Sequence, residues 1–273
     1  MVKVIAELGI NHNGDLEIAK KLIDVAWAAG CDYVKFQKRD IDSVYTQEEL
    51  DTYRESPWGT TTKKQKEGLE FGYQDYVEID RYCKSKGIKW FASPWDMKSF
   101  NFLMDFNLPF MKIPSALITN HSLLTVCGMN RVPTILSTGM STDEEIGNAI
   151  KKLLGCAYCV MHCTSTYPTS PKEINIEALK NLQREYNYIG RIGFSNHYPG
   201  LMAMLLAVAY GADMIEFHIT LDRTMYGSDQ AASIEPKGVF ELMEKIELIE
   251  KMMGDGRKRV YDSELPIIKK LRR

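Results

Sequence analysis

The chain has 273 residues, 45% hydrophobic and 26% charged, enough to bury a sizeable core in one large domain or two small ones. Its 34 basic and 36 acidic residues leave a formal net charge of -2, which excludes the global basic field of a nucleic-acid or membrane-surface binder and leaves small anionic substrates open. No basic n-region with an apolar run opens the chain, and no apolar run of about 18 residues occurs, so a cytoplasmic address without a membrane partner is expected.

Taken in chain order, strand-like runs alternate with helical periodicity. VKVIAELG comes first, followed by amphipathic Leu16–Ala29, and then YVKFQ. The segment from Lys38 to Gly72 is too long for an ordinary βα connection and reads as a lid or binding loop. Beyond it, helical Tyr76–Lys86 leads into IKWFASP and FMKIPS. Four pairs complete the series: Ser122–Met129 with TILSTG, Thr142–Leu154 with YCVMHCTS, Asn175–Glu185 with RIGFSNH, and Leu201–Tyr210 with MIEFHIT, before a last helix at Gly238–Met253. Eight βα units in about 250 residues predict a (β/α)8 TIM barrel, read as one domain over residues 1–273. A doubly wound sheet would place a glycine-rich phosphate turn after the first strand, and LGINHNG lacks the GxGxxG pattern.

Six cysteines are too few for a disulfide framework in a chain of this length. Cys156, Cys159 and Cys163 in GCAYCVMHC have no second CxxC to close a zinc site, and reduced thiols behaving as small apolar residues are expected.

Active sites of such barrels lie at the C-terminal strand ends, and polar residues fall there on strand after strand. They are Glu7, Lys35 with Gln37, Ser93, Lys112 with Ser115, Ser137, His162 with Thr164, Ser195 with His197, and Glu216 with His218. Period two puts the paired residues within a strand on shared faces, so all are expected to converge on one cavity. An unpaired buried charge costs several kcal/mol, so Glu7, Lys35, Lys112 and Glu216 require partners or ligands. The two lysines with Ser115 and Ser137, near the STGM turn, suit a phosphate or carboxylate. His197 and His218 end neighbouring strands about 4.8 Å apart, a spacing at which a divalent metal with an open coordination sphere is easily shared.

These stretches resemble the sialic acid synthase family, the N-acetylneuraminate synthases and their legionaminic and pseudaminic acid relatives. AELGINHNGD, VKFQ, KIPS, ILSTGMST, HCTSTYPT, GFSNH, EFHIT and MYGSDQAASIEP occur in consistent order from residue 6 to 236. The resemblance implies a (β/α)8 barrel that condenses phosphoenolpyruvate with N-acetylmannosamine or a related N-acylated amino sugar. The products implied are a nine-carbon 2-keto sugar acid and phosphate, with Mn2+, or else Mg2+ or Co2+, as the metal. It further implies that Lys35, Ser93, Lys112, Ser115, Ser137 and Ser195 hold phosphoenolpyruvate, that His197 and His218 ligate the metal, and that Gln37, Tyr167 and Asp229 line the sugar site. Glu7 matches an active-site carboxylate near the reacting carbons, and Glu7 and Glu216 are the two candidates for moving protons.

Three departures from the family pattern stand out. Ser165 replaces an asparagine, Leu117 replaces an acidic residue near the sugar, and the chain ends at IIKKLRR where familiar bacterial members continue into a small antifreeze-like domain. A second copy in a homo-oligomer, or a separate partner chain, is then expected to complete the sugar site. Two rival readings remain. One is a synthase taking a 6-phosphorylated sugar, which a further basic pocket around Lys38, Arg39, Lys63, Lys64 and Lys66 would favour. The other is a non-catalytic sugar-binding barrel, against which the joint presence of both histidines, both lysines and Glu7 argues.

Overall fold

The computed structural model describes residues 1–272. Its elements run β1 (Lys3–Gly9), α1 (Leu16–Ala29) and β2 (Tyr33–Lys38), then an inserted block of α2 (Ile41–Val44), α3 (Gln47–Asp51), β3 (Tyr53–Ser56), β4 (Gly59–Thr61) and α4 (Thr62–Leu69). The alternation resumes with α5 (Tyr73–Lys86), β5 (Lys89–Pro94), α6 (Met97–Met104), β6 (Met111–Ile113), α7 (His121–Met129), β7 (Thr134–Ser137) and α8 (Asp143–Lys152). It ends with β8 (Ala157–Cys163), α9 (Ala178–Glu185), β9 (Ile192–Asn196), α10 (Met202–Ala209), β10 (Met214–His218), α11 (Pro236–Met253) and α12 (Leu265–Leu271). Eight strands, β1, β2, β5, β6, β7, β8, β9 and β10, close a barrel in that order, every neighbouring pair parallel, as the periodicity predicts.

Beyond the inserted block, whose three short helices lie where the sequence reading has a loop, two helices fall outside the sequence reading. α6 has only eight residues, about two turns, too few to set a helical period; Asp96 starts it by accepting from the Ser99 backbone N–H at 2.8 Å. α12 lies beyond the last barrel helix and buries none of its residues. Elsewhere the local chemistry decides the ends: Asp15 caps α1 through the Glu17 and Ile18 amides, and Gly30 closes it in the left-handed region at φ 88°.

Side chains of alternate parity separate two cores. Ile5, Phe91, Phe110, Ile135, Cys159, Met161 and Met214 fill the barrel's lower interior, while residues such as Val4, Ala6, Val34, Ile215, Phe217 and Ile219 pack outward against the helices. The interior below the mouth is therefore solid, and only the C-terminal strand ends can enclose a ligand.

The block between β2 and α5 is folded, not a loose loop. Phe36, Phe71, Tyr76, Trp90, Phe102 and Phe106 form an aromatic cluster beneath its return, with Tyr76 edge-on to Phe102 at 5.3 Å and its hydroxyl donating to the Gln37 carbonyl at 2.9 Å. His12 stacks on Phe71 at 4.1 Å. Gly14, at φ +66°, lets the β1–α1 loop meet α4 directly, since a Cβ there would lie 2.0 Å from the Gly68 carbonyl oxygen. Trp58, in the β3–β4 turn, sits edge-on to Tyr226 of the β10–α11 loop at 5.6 Å. The block thus leans over the adjoining β2, β1 and β10 sector of the barrel mouth. Among the described residues no helix is long and apolar enough to cross a membrane.

Candidate active site

A chamber of about 170 Å³ opens at the C-terminal strand ends. Twelve residues singled out from the sequence line it: Glu7, Lys35, Gln37, Ser93, Lys112, Ser115, Ser137, Tyr167, Ser195, His197, Glu216 and His218. Asp229 stands just behind, its carboxylate 3.5 Å from His218 Nδ1. A wider cleft of about 1160 Å³ runs between α8 and α9 and shares Met140, Cys163 and Ser165 with the chamber, but the carboxylates, the lysines and both strand-end histidines His197 and His218 face only the smaller space.

His162 and Thr164 do not join them. The sequence reading set these two on the inward face of β8, but Cys159, Met161 and Cys163 hold it. His162 instead points outward, with Nε2 2.7 Å from the Ile174 carbonyl, and the Thr164 hydroxyl donates to the Glu173 carbonyl. Apolar residues occupy both faces of YCVMHC, so its phase could not be read from period alone. Cys163 therefore lines the chamber without an assignment to it from the sequence, as does Trp95 just after β5, while Ser165, singled out only as a departure from the family pattern, lines it too.

The four buried charges answer one another. Lys35 Nζ lies 2.8 Å from Glu7 and 3.6 Å from Glu216, and Lys112 Nζ lies 2.5 Å from Glu216, giving a neutral tetrad in the order Glu7, Lys35, Glu216, Lys112. Of the partners or ligands that the sequence reading required for these charges, the structure supplies partners. Burial alone would raise the Glu216 carboxyl, but Lys112 and Lys35 outweigh it and hold the group well below its usual range. Glu7 also accepts from Gln37 Nε2 at 2.7 Å, so it joins the tetrad to the outer rim.

Ligand capacity shows in what is left unpaired. Among the described residues, ten buried side-chain polar atoms besides the Lys35-paired oxygen of Glu7 lack a hydrogen-bond partner, and six of them belong to residues lining this one chamber. They include the hydroxyls of Ser93, Ser137 and Ser165, the indole N–H of Trp95, one oxygen of Glu216 and Nδ1 of His218. Such a concentration in a native fold marks a place built for a bound molecule. Ser115 is poised similarly: its oxygen accepts from the Gly139 amide at 3.0 Å, which leaves its proton free to donate. Gly139 is required there, because a Cβ would stand 2.2 Å from the Ser165 oxygen and 2.8 Å from that of Ser115.

The outer rim carries the histidines. His197 Nδ1 is 2.7 Å from the Thr164 carbonyl, which can only accept, so the proton sits on Nδ1 and Nε2 accepts from the Tyr167 hydroxyl at 2.8 Å. The two imidazole centroids are 5.6 Å apart, and burial keeps His218 below its ordinary pKa and therefore neutral. Gly9 leaves a hollow beside them, since a Cβ there would touch Glu7, Gln37 and His218 Nδ1. Two imidazoles, the Asp229 carboxylate and an unpaired buried His218 Nδ1 make a donor set suited to a divalent ion. Among the described residues no group of three or more His, Cys, Asp or Glu closes on a point, so solvent or substrate would supply the remaining ligands of such an ion.

The loop bearing Asp229 is fixed by Asn11, whose side-chain amide donates to the Ile219 carbonyl and to the Ser233 hydroxyl, both at 2.8 Å. The sequence reading quoted Asn11 within its motif without assigning it a part. A second backbone anchor is the isolated bridge between Ile219 and Ile234.

Comparison with known proteins adds to this geometry. The NeuB family model matches residues 22–258. The human protein named N-acetylneuraminate-9-phosphate synthase is 36% identical over 273 residues, covering 98% of this chain and 76% of the human one. The N,N'-diacetyllegionaminic acid synthase of Legionella pneumophila is 35% identical over 280 residues, covering 99% and 78%. Among solved structures, the N-acetylneuraminic acid (sialic acid) synthetase of Leptospira borgpetersenii, in complex with citrate, superposes with a TM-score of 0.83 at 33% identity, covering 98% of this chain and 90% of that one.

Proposed function

The chain belongs to the NeuB family, with curated relatives that include named synthases, and from that premise we propose that it condenses phosphoenolpyruvate with an N-acylated amino sugar to give a 2-keto sugar acid and phosphate. One observation carries the reading: unpaired hydroxyls and two lysines share a small chamber with two rim histidines.

In this reaction a bond forms between the methylene carbon of phosphoenolpyruvate and the sugar's aldehyde carbon. Water then adds at C2, and the C2–O bond breaks as phosphate leaves with the electron pair. Lys35 and Lys112 bind the anion by exchanging a tetrad carboxylate for its phosphate or carboxylate, and the hydroxyls of Ser93, Ser115, Ser137 and Ser195 donate to it. Gln37, Tyr167 and Asp229 orient the sugar at the rim. A divalent ion held by His197 and His218, for which Mn2+ is the first choice, would supply Lewis-acid polarisation of the aldehyde.

The tetrad supports Glu7 over Glu216 as the base. Glu216, held ionised below its usual range by Lys112 and Lys35, is a weak base at neutral pH and acts as a positioning residue for both ammonium groups. Glu7, shared between Lys35 and Gln37, stands between the anion half and the sugar half, where the proton of the attacking water must go.

Phosphate release from phosphoenolpyruvate with Mn2+ and a panel of N-acylated amino sugars tests the reading. Sugar-dependent release that drops about 100-fold or more in His218→Ala supports it. Absence of release with every sugar, together with no binding of phosphoenolpyruvate, would overturn it.

A further inference from the structure

Resting on that reading, we propose that Tyr167 sets how tightly the divalent ion is held, because its hydroxyl occupies the one nitrogen through which His197 can bind it. The resemblance placed Tyr167 in the sugar site alone; the structure gives it a second part, in competition with the ion.

The two rim histidines are not equally open. His218 Nδ1 has no hydrogen-bond partner, and the Asp229 carboxylate, 3.5 Å away, leaves it available. Both nitrogens of His197 are engaged: Nδ1 donates to the Thr164 carbonyl at 2.7 Å, and Nε2 accepts from the Tyr167 hydroxyl at 2.8 Å. An imidazole ligates through the lone pair of its unprotonated nitrogen, and that lone pair serves either the phenol or the ion.

His197 has no other nitrogen to offer. The loop that carries Tyr167 also clamps the histidine, since the Thr169 amide donates to the His197 carbonyl at 3.0 Å and the Thr169 hydroxyl donates to the Thr164 carbonyl at 3.3 Å. Turning the imidazole over would give up the Thr164 bond. Tyr167 is the part that can move: its side chain is 48% exposed, and its hydroxyl makes no second hydrogen bond among the described residues. Its ring lies against His197, centroids 3.9 Å apart, and meets His218 edge-on at 5.7 Å. Rotation of this one side chain, with the backbone anchors of its loop kept, uncovers Nε2 on an imidazole whose centroid is 5.6 Å from that of His218.

Mn2+ binding to the full chain in the absence of substrates, read from the electron paramagnetic resonance signal of the free ion, tests the competition. Tyr167→Phe keeps the ring and removes the hydroxyl, so it should bind Mn2+ about fivefold more tightly than the wild type, the equivalent of one neutral hydrogen bond. Tyr167→Leu, which removes the ring as well, should tighten binding at least as much. In a His197→Ala background the same substitutions should change nothing, because the nitrogen in contention is gone. Unchanged or weaker binding in both variants, or an equal gain without His197, would overturn the competition and leave the synthase reading to phosphate release. Failure of every one of these proteins to bind Mn2+ would overturn it together with the metal part of that reading.

Discussion

At the scale of single residues, the tetrad is where energy and chemistry meet. Lys112→Met leaves Glu216 with Lys35 alone, 3.6 Å away, and should destabilise the barrel by about 3 kcal/mol in urea unfolding. Adding Glu216→Gln should recover at least about 1 kcal/mol, because the stranded charge is then gone; two strictly additive losses would show that the pair is not coupled. The sequence displayed these residues plainly, since a charge inside an apolar strand has few explanations. It did not display their mutual pairing, because the distance between Lys35 and Glu216 depends on how far neighbouring strands are staggered. Nor could it assign Cys163 to the chamber and His162 to the outer layer, because apolar neighbours on both faces of β8 hide the parity.

At the scale of elements, the inserted block is held by two contacts that length alone does not reveal. One is His12, stacked on Phe71, whose burial lowers its imidazole from the ordinary value near 6.5 to about 3. The unfolded chain takes up a proton there below about pH 6.5 and the folded chain does not, so this contribution to stability is full above 6.5 and declines as pH falls towards 3. The expected loss is about 2 kcal/mol between pH 6.5 and pH 5, before Glu216 begins to titrate in the unfolded chain. A His12→Gln variant should show a flatter dependence in the same window, and an unchanged slope would remove His12 as the cause. The other contact is Gly14 against Gly68. With a left-handed φ and no room for a Cβ, Gly14→Ala must push α4 off the β1–α1 loop. Amide exchange across residues 38–72 should accelerate at least tenfold in that variant, well beyond any change in the barrel strands.

At the scale of the whole molecule, the eightfold alternation was legible because each strand is short and each helix amphipathic, and period is what a sequence records best. The stretch past α11 follows different rules. Residues 254–272 are exposed apart from a half-buried Ile268, so they add little to the barrel's core. Truncation after Met253 should therefore move the thermal midpoint by no more than about 2 °C, and a larger drop would mean that α12 braces the fold. Of the four tryptophans, Trp95 alone lines the chamber, and its indole lies beneath the Arg39 guanidinium with an unpaired N–H. Indole emission responds to a nearby cation and to hydrogen bonding at that nitrogen, so the molecule carries its own fluorescent gauge of occupancy, readable without a label and silenced by Trp95→Phe.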